Sequence, residues 1–252
     1  KIEACEDELL ELPKQIKETN ERLMLASMEF CYEKLRTNDE EIKPCRTYFW
    51  KKIKDKVQGK AMVEAALEIN HWCAGEVMYQ GTDMRTGSAL EIYRSGVGRC
   101  GEEAVFVVNV MRSAGIPARP GYVPRWSHCD DNHAWVEVWC DGDWHYLGAC
   151  EPEAVLDKGW FTNAASRAMM IGSRWYDRAM PDEKVIGKDG MNRIINLLGK
   201  YAKTRWITIT VEDLDGTPAA GAKVRAEVMN YGEFSPIAIM EADKNGCISF
   251  ET

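Results

Sequence analysis

Cys100 and His133 are the residues of this 252-residue chain whose types and surroundings could carry out covalent chemistry together. A thiol is a useful nucleophile only as thiolate, and the amino end of a helix stabilises that anion through free N–H groups and partial positive charge. Cys100 stands just ahead of the run 102–114, apolar almost all round (Ala104, Val105, Phe106, Val107, Val108, Val110, Met111), so it is predicted at such an end. Gly98 and Gly101 remove side chains that would block an approaching carbonyl, and the N–H groups of Cys100 and Gly101 could stabilise an oxyanion. A thiol nucleophile also needs a base. His133 opens a strand-like segment, with Asn132 before it and Trp135 two residues on. The pair is suited to acyl transfer through a thioester, and the expected signature is labelling of Cys100 by a thiol alkylator at mildly acidic pH.

What holds the imidazole can be asked of the hairpin. Asp141-Gly142 is a strong two-residue turn, and closing strands 133–140 and 143–150 on it makes the numbers of paired residues sum to 283. Trp135 then faces Gly148, and His133 faces Cys150, with 133, 135, 137 and 139 on one side together with 144, 146, 148 and 150. Position 148 is the diagonal neighbour of His133, and an aspartate there would lie about 7 to 8 Å away by backbone, close enough to orient the ring. The residue is Gly148. Glu151 is the candidate substitute, because Pro152 ends regular pairing and a turn there could swing a long carboxylate back. Cys150 reads as a small apolar filler, with a second thiol at the site as the alternative.

Three motifs in order, Gly-Arg-Cys-Gly-Glu-Glu-Ala (98–104), Arg-Ser-Ala-Gly-Ile-Pro-Ala-Arg (112–119) and Asn-His-Ala-Trp-Val-Glu-Val (132–138), resemble the transglutaminase-like superfamily of transglutaminases, bacterial cysteine peptidases and peptide N-glycanases. The resemblance covers roughly 60–160. It implies a papain-like α+β core, Cys100 as nucleophile, His133 as base, and an aspartate four residues after Trp144, where this chain has glycine. Ala-Cys-Glu at 149–151 is similar to the end of the glycanase motif. Hydrolysis of a peptide or carboxamide bond is expected ahead of cross-linking, on a protein, peptide or glycopeptide substrate and without a cofactor. The rival expectation is an inactive member of the fold that binds peptide or glycan, in keeping with the missing aspartate.

The elements that must position these groups are read from periodicity. Helical spacing of apolar residues predicts helices over 3–36, 48–56 and 61–78, and Gly115 is a plausible residue just beyond the end of the helix that follows Cys100. Strands are predicted over 116–123 and 133–140, then helical or loop segments to about 201. From Trp206 the period switches to two, with strands over 206–211, 222–229 and 237–241 and a turn at 243–246. The expected organisation is an α+β domain over 1–203, helical over 1–80, followed by a truncated β-sandwich module of carboxypeptidase-regulatory or Ig-like type over 204–252. Asp243 and Asn245 are expected to serve a plain turn, not calcium.

The hydrophobic fraction of 45% and the nine tryptophans suit one large core, or one core with a small module. A net charge of −8 with no basic run interleaved with aromatics argues against a nucleic-acid partner. No apolar run reaches the roughly 18 to 20 residues of a membrane span. Lys1 at the start and a strand-like end suggest a piece of a longer protein, with an extracytoplasmic or cell-surface location, and nine cysteines without a CxxC pair suggest mostly reduced thiols. His128, Cys129, Asp130 and His133 invite a zinc reading, but ligands this close on one loop rarely reach a tetrahedral arrangement, so no metal is expected. Trp126 and Trp135 are expected to wall the cleft, with ordinary core packing as the alternative for Trp135. Trp72 and Tyr79 are the aromatics ahead of the nucleophile.

Overall fold

The computed structural model describes residues 44–82, 85–176, 185–189 and 192–252; the helix expected over 3–36 lies outside them. Cys45–Thr252 forms a compact unit of mixed α and β structure. Its first half is helical: α1 (Arg46–Val57), α2 (Met62–Glu76), α3 (Ala89–Ser95) and α4 (Cys100–Ser113), with the two-residue strands β1 (Met78–Tyr79) and β2 (Val97–Gly98) paired in parallel. Helix α4 is the central one. Ala104, Phe106, Val107, Val108, Val110 and Met111 are buried against Phe49 and Ile53 of α1, Ala66 and Ile69 of α2, and Val136 and Val138 of the sheet. Gly115, at φ 81°, stops α4 in the left-handed conformation that glycine adopts without strain.

The sheet has six strands in the order β5-β4-β3-β6-β8-β7, every neighbouring pair antiparallel. They are β3 (Ala118–Val123), β4 (His133–Cys140), β5 (Asp143–Leu147), β6 (Gly172–Tyr176), β7 (Val185–Asp189) and β8 (Asn192–Asn196), with the short helix α5 (Thr162–Ala165) between β5 and β6. Strand β3 starts at Ala118, two residues later than expected, because the Ile116 N–H is taken by Met111 O in the helix stop and Pro117 carries no N–H. The expected helical or loop region up to 201 instead supplies β6, β7 and β8. These strands are short and alternate poorly in the sequence (Gly-Ser-Arg-Trp-Tyr, Val-Ile-Gly-Lys-Asp, Asn-Arg-Ile-Ile-Asn), so period-two patterning did not reveal them.

A largely buried polar chain crosses the sheet. Arg119 Nε donates to Glu137 Oε2 at 2.6 Å, both residues 1% exposed, Tyr201 Oη donates to Glu137 Oε1 at 2.6 Å, and Trp135 Nε1 donates to Tyr201 Oη at 2.8 Å. Gly121 faces Trp135 across the β3–β4 ladder, and a Cβ on it would stand 2.7 Å from the indole nitrogen. The absence of that methyl is what lets the indole lie flat in the core.

The strands expected after 206 are present as β9 (Trp206–Thr210), β10 (Lys223–Asn230), β11 (Glu233–Glu241) and β12 (Cys247–Glu251). They form two separate two-stranded ladders, β10–β11 and β9–β12, whose inner residues Ala238, Met240, Ile248 and Phe250 share one apolar cluster with Met170 and Ile186 of the larger sheet region. The Asp243 side chain accepts from the Asn245 and Cys247 N–H groups at 2.8 and 2.9 Å, the geometry of a plain turn. The seven cysteines among the described residues are free thiols, and no helix among those residues is long and apolar enough to cross a membrane.

Candidate functional site

Cys100 is the first residue of α4, where the backbone N–H groups have no partner within the helix. Glu102 sets that start: its carboxylate accepts from the Arg99 N–H at 3.2 Å and the Gly87 N–H at 3.1 Å, and takes the Thr82 hydroxyl as well, tying the preceding loop to the helix. Gly98 is a packing glycine, since a Cβ there would press on Glu102 Cβ at 3.0 Å. Gly101 is different, for its Cβ would meet only the guanidinium end of the Arg99 side chain. Burial raises the Cys100 thiol above its ordinary range, opposed by the backbone N–H groups of Ala134 and Gly101 and by Arg99. The Ala134 contact sets the sulfur beside the first residues of β4.

His133 opens β4 and is paired through its backbone to Val123. Its ring is 6% exposed, with ring centroids of Trp160, Phe161 and Trp135 at 4.6, 5.0 and 6.0 Å. Burial pulls its pKa down to about 4, against a smaller opposing pull from Asp131. The imidazole is therefore neutral at neutral pH, able to take a proton. With the thiol raised and the imidazole lowered, both shifts favour the uncharged forms at rest, which runs against labelling of a thiolate at mildly acidic pH. Of the other histidines, His145 is engaged by Asp157 at 2.6 Å and His71 and His128 are exposed.

The hairpin register is the one the turn dictated, from Cys140↔Asp143 to Val136↔Leu147, with Asp141 and Gly142 both at positive φ. Beyond Leu147 it departs from expectation. Neither Trp135–Gly148 nor His133–Cys150 pairing forms, because the chain folds back on itself: Gly148 bridges Glu151, and Cys150 is left-handed at φ 57°. Asn70 of α2, 1% exposed, captures this turn. Its Nδ2 donates to Gly148 O at 2.9 Å and Glu151 O at 3.3 Å, and its Oδ1 accepts from the Cys150 N–H at 3.0 Å. Cys150 packs against the apolar core as a filler, its thiol pushed up first by burial, then by Glu103 and Glu151.

The fold-back brings the Glu151 side chain over Gly148. A Cβ built on Gly148 would sit 2.2 Å from Glu151 Oε2 and 2.8 Å from Glu151 Cβ, so the carboxylate occupies the space where a side chain at 148 would begin. Trp160 Nε1 donates to Glu151 Oε1 at 2.9 Å while the same indole lies against the His133 ring. The remaining oxygen, Glu151 Oε2, and the ring nitrogen His133 Nε2 are two of only four buried side-chain polar atoms without a partner among the described residues. Both belong to groups touching one tryptophan. Such orphaned atoms are costly in a merely structural position.

Asn70→Ala is expected to release the turn, costing about 1–3 kcal/mol for the backbone groups left unpaired. Hydrogen exchange at the Cys150 amide checks this directly: its protection should fall sharply, and unchanged protection would mean that Asn70 does not hold the turn.

The other expected members are distributed as follows. Asn132 is exposed and meets the site only through the chain, its N–H bound by the Asp131 carboxylate at 2.7 Å. Trp126 and Trp135 do not wall an open cleft: they are 2% and 0% exposed, in the apolar layer with Phe161 and Ile171, which covers them. Trp72 stacks with Tyr93 in the helical layer, and Tyr79 is exposed near Cys100 and Glu103. Among the described residues no three or more of the metal-binding side chains gather, those of His128, Cys129, Asp130 and His133 included. That loop has another use: Asn230 Nδ2 donates to Trp126 O and Cys129 O at 2.9 and 2.8 Å, and Asp130 Oδ1 accepts from the Tyr231 N–H at 2.7 Å. Sequence reasoning missed Trp160, which Lys-Gly-Trp-Phe at 158–161 advertises only as an aromatic pair, and Glu103, which sits one helical turn from Cys100 on the same face.

Compared with known proteins, residues 51–149 match the family model of the transglutaminase-like superfamily core. Among solved structures, the chain superposes on red sea bream transglutaminase with a TM-score of 0.43 and 12% identity, covering 89% of this chain and 52% of that one. A proposed protease from Parabacteroides distasonis gives 0.39 and 18% over 51% of this chain and 25% of that one, and Legionella pneumophila LapG 0.36 and 15% over 46% and 70%. The chain thus spans a quarter of the Parabacteroides protein's length and about half of the bream enzyme's. No curated protein matches it.

Proposed function

Since residues 51–149 of this chain match the family model of the transglutaminase-like superfamily core, we propose that it is a cysteine enzyme that hydrolyses a peptide or carboxamide bond through a thioester on Cys100. The observation that carries the reading is the pair of buried, unpartnered atoms His133 Nε2 and Glu151 Oε2 beside a thiol at a helix start. As the Cys100 sulfur attacks the carbonyl carbon, its proton passes to His133, and the carbonyl oxygen gathers charge near the free N–H groups at the start of α4. Glu151 turns its free oxygen to His133 Nε2 and stabilises the imidazolium. Catalytic hydrogen bonds of this kind commonly tighten only when substrate is bound. His133 then gives the proton to the departing amine. Water, deprotonated by His133, attacks the thioester and restores the thiol and the free acid.

The alternative, a fold kept for binding peptide or glycan without turnover, draws support from Gly148 and from the neutral resting pair. Activity decides between them. Ammonia or amine release from peptide substrates should fall at least about 10²–10⁴-fold in Cys100→Ala and His133→Gln; release that persists in Cys100→Ala sinks the enzyme reading. The resting state has its own test. With His133 neutral above about pH 4 and the thiol raised by burial, iodoacetamide labelling of Cys100 should climb roughly tenfold per unit from pH 5 to 8. A plateau in that interval would point to a thiolate–imidazolium pair and overturn the neutral assignment.

A further inference from the structure

On the far side of Glu151 and Glu103 lies a cavity of about 450 Å³, of whose lining the reaction as written uses only Glu151. Its walls are Ala74, Gly75 and Val77 with Met78 and Tyr79, and Glu76, Glu103 and Glu151 are its carboxylates. Glu103 is 4% exposed and has no hydrogen bond or ion pair among the described residues. Its oxygens are not among the four sealed, orphaned atoms but belong to the cavity lining, where a carboxylate on so buried a residue is normally answered by a cation or by several N–H donors. Here the one charged neighbour that acts on it is another carboxylate, Glu151. The cavity is thus short of one positive charge. It is also tied to the reacting centre, because Glu103 follows Cys100 by one turn of α4 and Tyr79 feels the charge of both.

We propose that this cavity is a subsite for the basic side chain, lysine or arginine, of a substrate polypeptide, its aliphatic stem along Ala74, Val77 and Met78 and its cationic head between Glu103 and Glu151. That the cation belongs to a substrate rests on the acyl-transfer reading; that the cavity takes an organic cation does not. The cation is a recognition group and not the acyl acceptor, because a protonated amine or a guanidinium has no free lone pair with which to attack a thioester. Burial first, then Glu151, raises Glu103 to about 8, so at neutral pH a cation entering the cavity displaces a proton. Binding should therefore tighten as pH rises from 6 to 8. The other titratable groups facing the cavity are Glu151 and Cys150 of the turn, Glu76 of α2 and Tyr79 of β1. Glu151 is also raised by burial and steepens the dependence in the same direction.

The test is calorimetric titration of the whole chain with n-butylguanidinium, which cannot serve as acyl acceptor, and with 1-pentanol as its uncharged counterpart. Saturable binding of the guanidinium but not of the alcohol is expected, at least tenfold weaker in Glu103→Gln, retained in Cys100→Ala, and tightening between pH 6 and 8 in the wild type. Equal affinity in Glu103→Gln, or a pH-independent affinity in the wild type, overturns the subsite; the second measurement needs no variant to fold. A capped Gly-Arg-Gly tripeptide binding at least tenfold more tightly than the bare cation assigns the site to a polypeptide side chain, and failure of the tripeptide to displace the probe overturns that assignment. The two readings fail separately. Glu103-dependent binding alongside turnover that survives Cys100→Ala rejects the catalytic reading and keeps the subsite, while lost turnover with binding indifferent to Glu103 does the reverse.

Discussion

Moving the carboxylate from residue 151 to residue 148 is expected to preserve turnover, whereas each half of the exchange made alone should abolish most of it. Glu151→Ala removes the group proposed to hold the imidazolium, a loss of about 10²–10⁴-fold in kcat. Gly148→Asp alone forces a Cβ to within 2.2 Å of Glu151 Oε2, so two carboxylates contend for one space and the turn must open. In Gly148→Asp/Glu151→Ala the closer clash, with Glu151 Oε2, is removed and the carboxylate is supplied from the other side. The backbone at 148 is not left-handed, so an aspartate adds no backbone strain there, and the Cβ that alanine keeps at 151, 2.8 Å away, must shift by a few tenths of an ångström to admit it. Steady-state kinetics on the three variants checks the exchange. A double variant no better than Glu151→Ala, or a Glu151→Ala variant as fast as wild type, would remove Glu151 from the mechanism.

The largest effect on stability is expected from Arg119→Met, at about 3–5 kcal/mol. The substitution strands Glu137 as a buried charge, 1% exposed, with only the Tyr201 hydroxyl to answer it. It also removes a guanidinium stacked 4.0 Å over the Trp144 ring, an interaction that a methionine reproduces only in part. Arg119→Met/Glu137→Met should be less destabilised than Arg119→Met alone, since no unpaired charge is left in the sheet. Urea unfolding midpoints at unchanged m-value report the difference. If Arg119→Met stays within about 0.5 kcal/mol of wild type, water must reach Glu137 and the buried chain from Arg119 to Trp135 is not a rigid support for His133.

What could be read from the sequence was whatever local rules decide. Asp141-Gly142 fixed five pairs of the hairpin ladder without reference to the rest of the chain, and the glycine-flanked Cys100 lies at a helix start because the apolar run behind it has no other use. The reading stopped where a distant residue takes over. Asn70 stands 78 positions before Gly148 and binds backbone, not side chain, so no pattern near the hairpin signals that the ladder ends at Leu147. Pro152 gave the warning but not the geometry. Alternation puts Trp135 on one side of β4 but leaves cleft wall and core packing both open, because it tells which way a side chain points and not that Phe161 and Tyr201 will cover it. Strands β6 to β8 were hidden for the complementary reason: their place in the sheet is decided by their neighbours and not by their own alternation.

The loop that delivers His133 is fastened at Trp126, Cys129 and Asp130 to Asn230 and Tyr231, at the tip joining β10 to β11. The histidine therefore depends on a hairpin about a hundred residues downstream. A gene fragment ending shortly after Tyr201 would encode every group proposed to react and still lack the clasp on the loop before the base. In evolutionary terms the reactive core is not a freely portable cassette: any recombination that carries it to a new setting must bring these strands along, or supply a substitute for them.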